Sequence, residues 1–345
     1  MIAKPLPILA ITMGDAGGIG SEIAVKALSN QAIYDVCRPM IVGDAEVLED
    51  ALRFCDTPLT LNVVEKPEDG RYALGTIDIM DLKNLGKDQL HYQTVTAAQG
   101  KAAFEYIAKA IDLALKGEVH ATVTGPINKE ALNLGGFHYS GHTEIYADLT
   151  KTRDYTMMLV DEGFRVVHVS THVSLREACD RTKTSRIMRV IELANKAVGD
   201  LGIENPRIGV CGLNPHCGEA RMFGTEDEDE IRPAVEQAVA KGFNVEGPLP
   251  ADTIFSKMKG GMFDIVVAMY HDQGHIPAKL NGFHYDAKTG NWGQMAGINV
   301  TLGLPIIRTS VDHGTAYDRS GEGRANEQSM IEAILLGAQM GKSRV

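Results

Sequence analysis

Short apolar runs rich in β-formers alternate with longer segments of helical periodicity along nearly the whole 345-residue chain. No other feature restricts the fold as much. Parallel strands need a long crossover between them, most often a helix, so the pattern predicts an α/β protein on a mostly parallel sheet. The strand candidates are Pro7–Thr12, Pro39–Val42, Ala121–Val123, Thr156–Val160, Arg165–Val169, Arg207–Val210, Asp264–Met269 and Pro305–Arg308. Helices are expected over Ser21–Leu28, with Ser21 as N-cap, and over Ala97–Leu115, where Ala103, Ile107, Ala110, Ile111 and Leu115 recur at helical spacing. Thr184–Leu201 repeats that pattern through Ile187, Val190, Ile191, Ala194, Ala197 and Val198. A chain of this length with 44% apolar residues can bury a large core and suggests about two domains. No Ser- or Gly-rich linker separates them, so the chain is expected to cross between them more than once.

The net charge of −11 and the absence of a long basic run argue against nucleic acid and against anionic membranes as partners. A small anionic substrate stays compatible, since a few local cations suffice for one. Cys37, Cys55, Cys179, Cys211 and Cys217 are odd in number and lack CxxC spacing, which points to reduced thiols and not to a disulfide framework or a zinc knuckle. The start, MIAKPLPILAITMGD, is too short in apolar residues for a membrane span and has no cleavage-site pattern, so a soluble cytoplasmic protein is expected. The acidic stretch Thr225–Glu230 precedes a helical pattern over Ile231–Ala240 and reads as a solvated turn whose carboxylates favour the helix N-terminus, with a metal site as the lesser alternative.

The stretch MGDAGGIGSE (Met13–Glu22) resembles a phosphate cradle at first sight. Its glycines, Gly14, Gly17, Gly18 and Gly20, match neither G-x-G-x-x-G nor G-x-x-x-x-G-K-[ST]. Asp44, the nearest acidic residue past a candidate strand, lies too far on for the ribose partner of a dinucleotide fold. The stretch reads either as a tight turn that needs glycine for positive φ or as a helix start whose backbone N–H groups face an anion.

Three histidines follow three strand candidates: His172 after FRVVHVSTHVSL begins, His216 in RIGVCGLNPHCGE, and His271 in DIVVAMYHDQGH. Ligands of open α/β sheets bind beyond the carboxyl ends of the strands. Imidazoles gathered there can ligate one divalent metal, or each can be a hydrogen-bonded loop residue. Asp252 in PLPADT offers a carboxylate to a metal or a base, and Lys279 and Arg308 are cations suited to carboxylate or phosphate. His142 and Thr143, in the Gly-containing turn YSGHTE, can bind an oxyanion. For each of these the plain alternative is a surface charge or a helix cap. His168, inside an apolar run, reads as structural, and His275 and His284 as loop residues.

Taken together, ITMGDAGGIGSE, VTGPINKEAL, YSGHTEIYADLT, STHVSLREA, GLNPHCGE, GPLPADT, AMYHDQGHIPAKL and GINVTLGLPIIRTSVDHGTAYD resemble the 4-hydroxythreonine-4-phosphate dehydrogenase family over nearly the whole chain. The resemblance implies an isocitrate/isopropylmalate dehydrogenase-like α/β fold, not a Rossmann fold, with two domains and a cleft between them. Residues 1–127 with 300–345 would form the cofactor side, and 128–299 the metal, substrate and dimerisation side. It implies NAD and a divalent metal (Zn, Mg, Mn or Co) as cofactors. His172, His216 and His271 fall on the family's metal ligands; His142, Thr143, Lys279, Asn299 and Arg308 fall on its substrate positions. Asp252 matches an aspartate contributed across a homodimer interface, so the active site would be shared between subunits, with Asp252 and Lys279 the candidates for the catalytic step. The segment DHGTAYDRSGEGRANE resembles the adenosine-binding loop of the wider decarboxylating dehydrogenases, which assigns His313, Gly314, Thr315, Ala316, Asp318 and Asn326 to the cofactor. The opening turn then resembles the GDGIGPE turn of the isopropylmalate-type enzymes, beside the nicotinamide end.

One departure bears on the substrate. HYDAKTGNWGQMAG (284–297), which holds Trp292, the chain's single tryptophan, is longer than the connection carried by the pyridoxal-pathway members, and MGD replaces their usual PGD or PGE. Long-loop members resemble the branch associated with oxidation of 4-phospho-D-threonate and 4-phospho-D-erythronate. The expected activity is oxidation of the 3-hydroxyl of such a hydroxy acid and decarboxylation to dihydroxyacetone phosphate. The alternatives are the pyridoxal-pathway dehydrogenase, a cis-dihydrodiol dicarboxylate dehydrogenase and, in a different class, a non-redox acyl-phosphate transferase.

Overall fold

The structure, a computed structural model, describes residues 5–288, 291–295 and 297–345, with the backbone alone for 284, 286 and 291–295. The chain divides into two compact units, Met1–Arg153 with Leu304–Val345, and Asp154–Gly303. It lays down β1 (Ile8–Thr12), β2 (Arg38–Gly43), β3 (Thr60–Val63), β4 (Thr76–Asp81) and β5 (Ala121–Thr124) in the first unit. The second unit holds β6 (Thr156–Asp161), β7 (Phe164–His168), β8 (Ile208–Cys211), β9 (Val245–Leu249), β10 (Ile265–Ala268), β11 (Phe283–Asp286), β12 (Asn291–Met295) and β13 (Ile298–Leu302). The chain then returns to the first unit for β14 (Arg308–Val311).

In the first unit the strands run in the order β3-β4-β2-β1-β5-β14, with every neighbour parallel. Helices α1 (Gly20–Ala27), α2 (Gln31–Tyr34), α3 (Ala45–Phe54), α4 (Ala97–Leu115), α5 (Lys129–Leu134), α6 (His142–Leu149) and, from the second crossing, α12 (Gln328–Gly341) accompany them. Thr96 caps α4 by accepting from Gln99 N, and the buried positions Ala103, Tyr106, Ile107, Ala110 and Ile111 follow the helical period. Central strands such as β1 and β5 are buried along almost their whole length, as strands covered on both faces must be.

The second unit carries α7 (Leu175–Arg181), α8 (Thr184–Asp200), α9 (Arg232–Ala240), α10 (Ala251–Lys259) and α11 (His271–Gly282). Its strand order is β13-β6-β7-β10-β8-β9. The run β7-β10-β8-β9 is parallel, whereas β6 is antiparallel to both β13 and β7. The cause is local: only Glu162 and Gly163 separate β6 from β7, and so short a connection closes only an antiparallel pair. The segment after α11 forms an antiparallel ribbon of β11 and β12, with a register shift between Phe283 and Tyr285. The side chains of His284 and Trp292 lie outside the described residues; the backbone of His284 is in β11 and not in a loop.

Other expectations shift in detail. Ser21 sits buried inside α1, and Ile19 precedes the helix without a side-chain cap. The ladder expected over Pro305–Arg308 begins only at Arg308, because the chain bends at Pro305 and Ile306 before it joins the sheet. Among the described residues no helix is long and apolar enough to cross a membrane. All five cysteines are free thiols.

Candidate active site

β7, β10 and β8 are adjacent and parallel, so their carboxyl ends share one edge of the second unit. His172 lies in the loop after β7, His216 in a short turn (Pro215–Gly218) after β8, and His271 opens α11 after β10. The rings of His172 and His271 are 5.9 Å apart. His271 Nδ1 lies 2.6 Å from Asp272 Oδ1. A tautomer donating from Nδ1 to that carboxylate leaves the Nε2 lone pair for a ligand, the arrangement common to metal-binding histidines. Polar side chains stitch the three loops together. Ser170 Oγ donates to Met269 O at 3.1 Å, and Gln273 accepts from Met269 N at 2.7 Å while donating to Gly212 O at 2.8 Å.

The donor types and their edge fit a divalent cation. Among the described residues no three His, Cys, Asp or Glu side chains are drawn close enough together to hold one. His275 is not a loop residue: it lies buried on α11, its ring stacked on His271 at 3.6 Å. His168 is fully buried at the end of β7. Burial, then the His275 ring, pulls its pKa down to about 3, so it is a neutral core imidazole.

The turn carrying His216 is unusual. His216, Cys217, Gly218, Glu219, Ala220 and Arg221 all have φ between +40° and +79°. Each non-glycine residue in that region costs about 1–2 kcal/mol, so the surroundings must hold the turn. Asp227 does so from the acidic stretch expected to be solvated. Its fully buried carboxylate accepts from Leu213 N (2.9 Å), Asn214 N (3.1 Å) and Asn214 Nδ2 (2.9 Å). A readable signal existed: Asp227, Ile231, Ala234, Val235 and Ala238 recur at helical spacing, which puts Asp227 on the inward face.

Asp252 is exposed in the first turn of α10. Lys279 lies two turns beyond His271 on α11, its Nζ 4.8 Å from the centre of the Phe283 ring. Asn299, on β13, donates from Nδ2 to Met157 Sδ at 2.6 Å, while no described residue hydrogen-bonds its buried Oδ1.

The other substrate candidates are in the first unit. His142 and Thr143 begin α6, and Arg308 begins β14. Arg308 is 2% exposed, donates from Nη2 to Thr124 Oγ1 at 2.9 Å, and lies 5.5 Å from the centre of the Tyr146 ring. Burial lowers its pKa to about 10, so it remains a cation at neutral pH. The structure brings His142 beside it: burial first, and then the Arg308 charge, hold His142 well below 6.5. The unfolded chain takes up a proton at this histidine near pH 6.5, while the folded protein does so only at lower pH. Stability is therefore present above that pH and is lost as pH falls below it. Thermal midpoints are expected to fall between pH 7 and pH 5, by roughly 1–2 °C per kcal/mol for a chain of this length, and to fall less steeply for His142→Asn. Equal slopes for the two proteins would refute a neutral His142.

All six cofactor candidates lie on the loop between β14 and α12, and this loop rests on the opening Gly-rich turn. Ile19 N donates to Thr315 O at 3.0 Å, and Ser320 Oγ donates to Gly17 O at 2.7 Å. A Cβ on Gly18 would stand 2.8 Å from Thr315 O, and one on Gly14 (φ +79°) 2.4 Å from Pro126 O. The glycines thus allow close backbone contact. Lys26 Nζ donates to Gly323 O and Ala325 O, each at 2.7 Å, and the buried Glu22 accepts from Ala325 N, fixing the segment just before Asn326. His313 donates from Nδ1 to Gly314 O at 3.0 Å, and no described residue hydrogen-bonds its buried Nε2. Glu22, Lys26, Ser170, Asp272 and Gln273 carried no such signal and were not legible as site-forming residues in the sequence.

The fold is of the isocitrate/isopropylmalate dehydrogenase-like class, and not a Rossmann fold. The family described as pyridoxal phosphate biosynthetic protein PdxA matches residues 35–337. The D-threonate 4-phosphate dehydrogenase of Cupriavidus necator is 47% identical over 98% of both chains. A crystal structure of a 4-hydroxythreonine-4-phosphate dehydrogenase from Burkholderia phymatum superimposes with a TM-score of 0.86 at 45% identity, over 98% of this chain and 99% of that one. A terephthalate 1,2-cis-dihydrodiol dehydrogenase from Burkholderia xenovorans LB400 reaches 0.69 at 30% identity, over 96% and 98%. The chain belongs to the PdxA family.

Proposed function

We propose that this protein is an NAD- and divalent-metal-dependent dehydrogenase. It oxidises the 3-hydroxyl of 4-phospho-D-threonate or 4-phospho-D-erythronate and releases CO2 to leave dihydroxyacetone phosphate. The observation that carries this reading is the near-full-length likeness to a D-threonate 4-phosphate dehydrogenase. The dihydrodiol enzyme is the more distant relative of the two.

His172, His216 and His271 would hold the metal, and the 313–326 loop the dinucleotide. When bound, the ion supplies Lewis-acid polarisation of the substrate oxygens and the nicotinamide accepts the hydride. The chain's own groups do the rest. Arg308, with neutral His142 and Thr143, offers one buried cationic anion site, and Lys279 and Asn299 offer a second set of polar groups. Asp252 takes the proton of the 3-hydroxyl as the C3–H hydride departs. The β-keto acid then loses its carboxylate as CO2, and Lys279 returns a proton to the enolate carbon. Exposed Asp252 fits a residue presented to a second subunit. So do Ile276 and Leu280, 64% and 80% exposed one turn apart on the helix that bears His271 and Lys279.

The test is NADH formation by the purified protein with a divalent metal. 4-Phospho-D-threonate, 4-phospho-D-erythronate, 4-phosphohydroxy-L-threonine and a cis-dihydrodiol dicarboxylate are compared as substrates. kcat/KM for one of the first two is expected to exceed the others by about 10²-fold, because a site built for polar groups rejects ligands that leave them unpaired. NADH formation with none of the four would overturn the redox reading. Faster turnover of 4-phosphohydroxy-L-threonine would move the protein to the pyridoxal-pathway branch.

A further inference from the structure

We infer that Asp227 is a positioning residue: its carboxylate holds the turn that presents His216, and so sets the protein's affinity for its divalent metal. The inference rests on the metal-ligand reading proposed above.

Three observations converge on it. Asp227 is fully buried, and both of its oxygens are spent on one short segment, Leu213–Asn214, immediately before Pro215 and His216. The same segment is gripped a second time, since Asn214 Nδ2 also donates to Glu226 Oε2 at 2.8 Å. The backbone is shaped to admit the carboxylate: a Cβ on Gly212 would stand 2.6 Å from Asp227 Oδ1. Just beyond this clasp, six consecutive residues from His216 to Arg221 adopt positive φ, five of them not glycine. An unrestrained chain does not hold such a run, because each of those residues gains by leaving the left-handed region. The strained run begins at His216 itself. The clasp lies between the strained turn and β8, so relaxation of the turn moves the imidazole and not the sheet. Gln273 anchors the near end of the same loop through Gly212 O, which leaves Asp227 to govern the part that carries the ligand.

A carboxylate that served stability alone would make a different prediction, and the molecule contains the control. Asp78, 1% exposed in the first unit, likewise accepts from three donors, Asn62 Nδ2 (2.6 Å), Arg71 N (3.0 Å) and Tyr72 N (2.7 Å), but it orders a loop that carries no candidate ligand.

The experiment titrates the metal-free full-length chain with Co2+, followed by visible absorption and calorimetry, for wild type, Asp227→Asn, Asn214→Ala, Asp78→Asn and His216→Ala. Asp227→Asn puts an NH2 group against N–H donors and is expected to bind Co2+ about 10–100-fold more weakly, with an altered absorption band. Asn214→Ala, which leaves the two backbone donors to Asp227 in place, is expected to weaken binding less and serves as the test if Asp227→Asn does not fold. Amide exchange over 213–221 of the metal-free protein rises in both. Asp78→Asn lowers the melting temperature while Co2+ affinity and spectrum stay at wild-type values. If Asp227→Asn melts lower but binds Co2+ as wild type does, while His216→Ala does not bind, the clasp is purely structural and the inference is wrong. If wild type binds no Co2+, or His216→Ala binds it normally, the metal-ligand reading fails and the role of Asp227 falls with it.

Discussion

Changing His216 to alanine is expected to lower turnover by roughly 10³-fold while leaving the fold intact. A divalent ion contributes several kcal/mol of transition-state charge stabilisation, and each 1.4 kcal/mol is a factor of ten. On the proposed reading His216 is one of three protein ligands, and removing it forfeits most of that contribution. The fold is spared for a local reason. His216 is exposed on a turn outside the sheet, so truncation removes little packing and leaves no buried group without a partner. Substitutions of that kind stay within about 0.5 kcal/mol of wild type. Activity, Co2+ binding and melting temperature should therefore separate cleanly. Near-normal turnover by this variant in chelator-treated buffer would show that no metal is needed at this edge.

Arg308→Met carries the second large effect, with the opposite signature. It keeps an unbranched stem among the same neighbours but deletes the guanidinium next to Thr124, Tyr146 and His142. Charge-assisted hydrogen bonds to an anionic ligand contribute about 1.5–3 kcal/mol each, so if Arg308 holds the substrate's anion as proposed, losing two raises KM for a phosphorylated substrate by about 10²–10⁴-fold. Stability follows a different rule. Holding a cation at 2% exposure carries a desolvation cost, so an apolar replacement of similar volume is close to neutral for folding. The expected result is a melting temperature within a few degrees of wild type and kcat/KM reduced at least 10²-fold. Arg308→Lys should not restore it, because an ammonium lacks the planar fork. A KM change below threefold for every phosphorylated candidate would remove Arg308 from the anion site.

Much of this protein was legible from its residues alone, for a physical reason. Strand and helix periods are local, so β1, β2, β5, β6, β7, β8 and β10 and the long helices α4 and α8 stood out as runs of apolar spacing. β3, β4, β9 and β13 did not, because Asn, Asp, Glu or Pro interrupts them and only their neighbours in the sheet make them strands. The three histidines were likewise legible as residues at strand ends. That the strands ahead of them are adjacent depends on the order β7-β10-β8, which no local pattern encodes.

The sequence by itself determined the main apolar strands and long helices, the α/β class and, through its motifs, the family. Tertiary structure alone decided which distant segments support one another. It laid the Gly-rich turn at Met13–Glu22 against a loop some three hundred residues on, where Gly18 meets Thr315 and Lys26 holds Gly323 and Ala325. It also turned one carboxylate of an acidic run, Asp227, inward to grip the turn of His216. The physical reason is the same in both cases. A glycine's lack of a Cβ and a carboxylate's two acceptor oxygens are properties of the residue, but the partner that needs them is supplied only when the chain has folded.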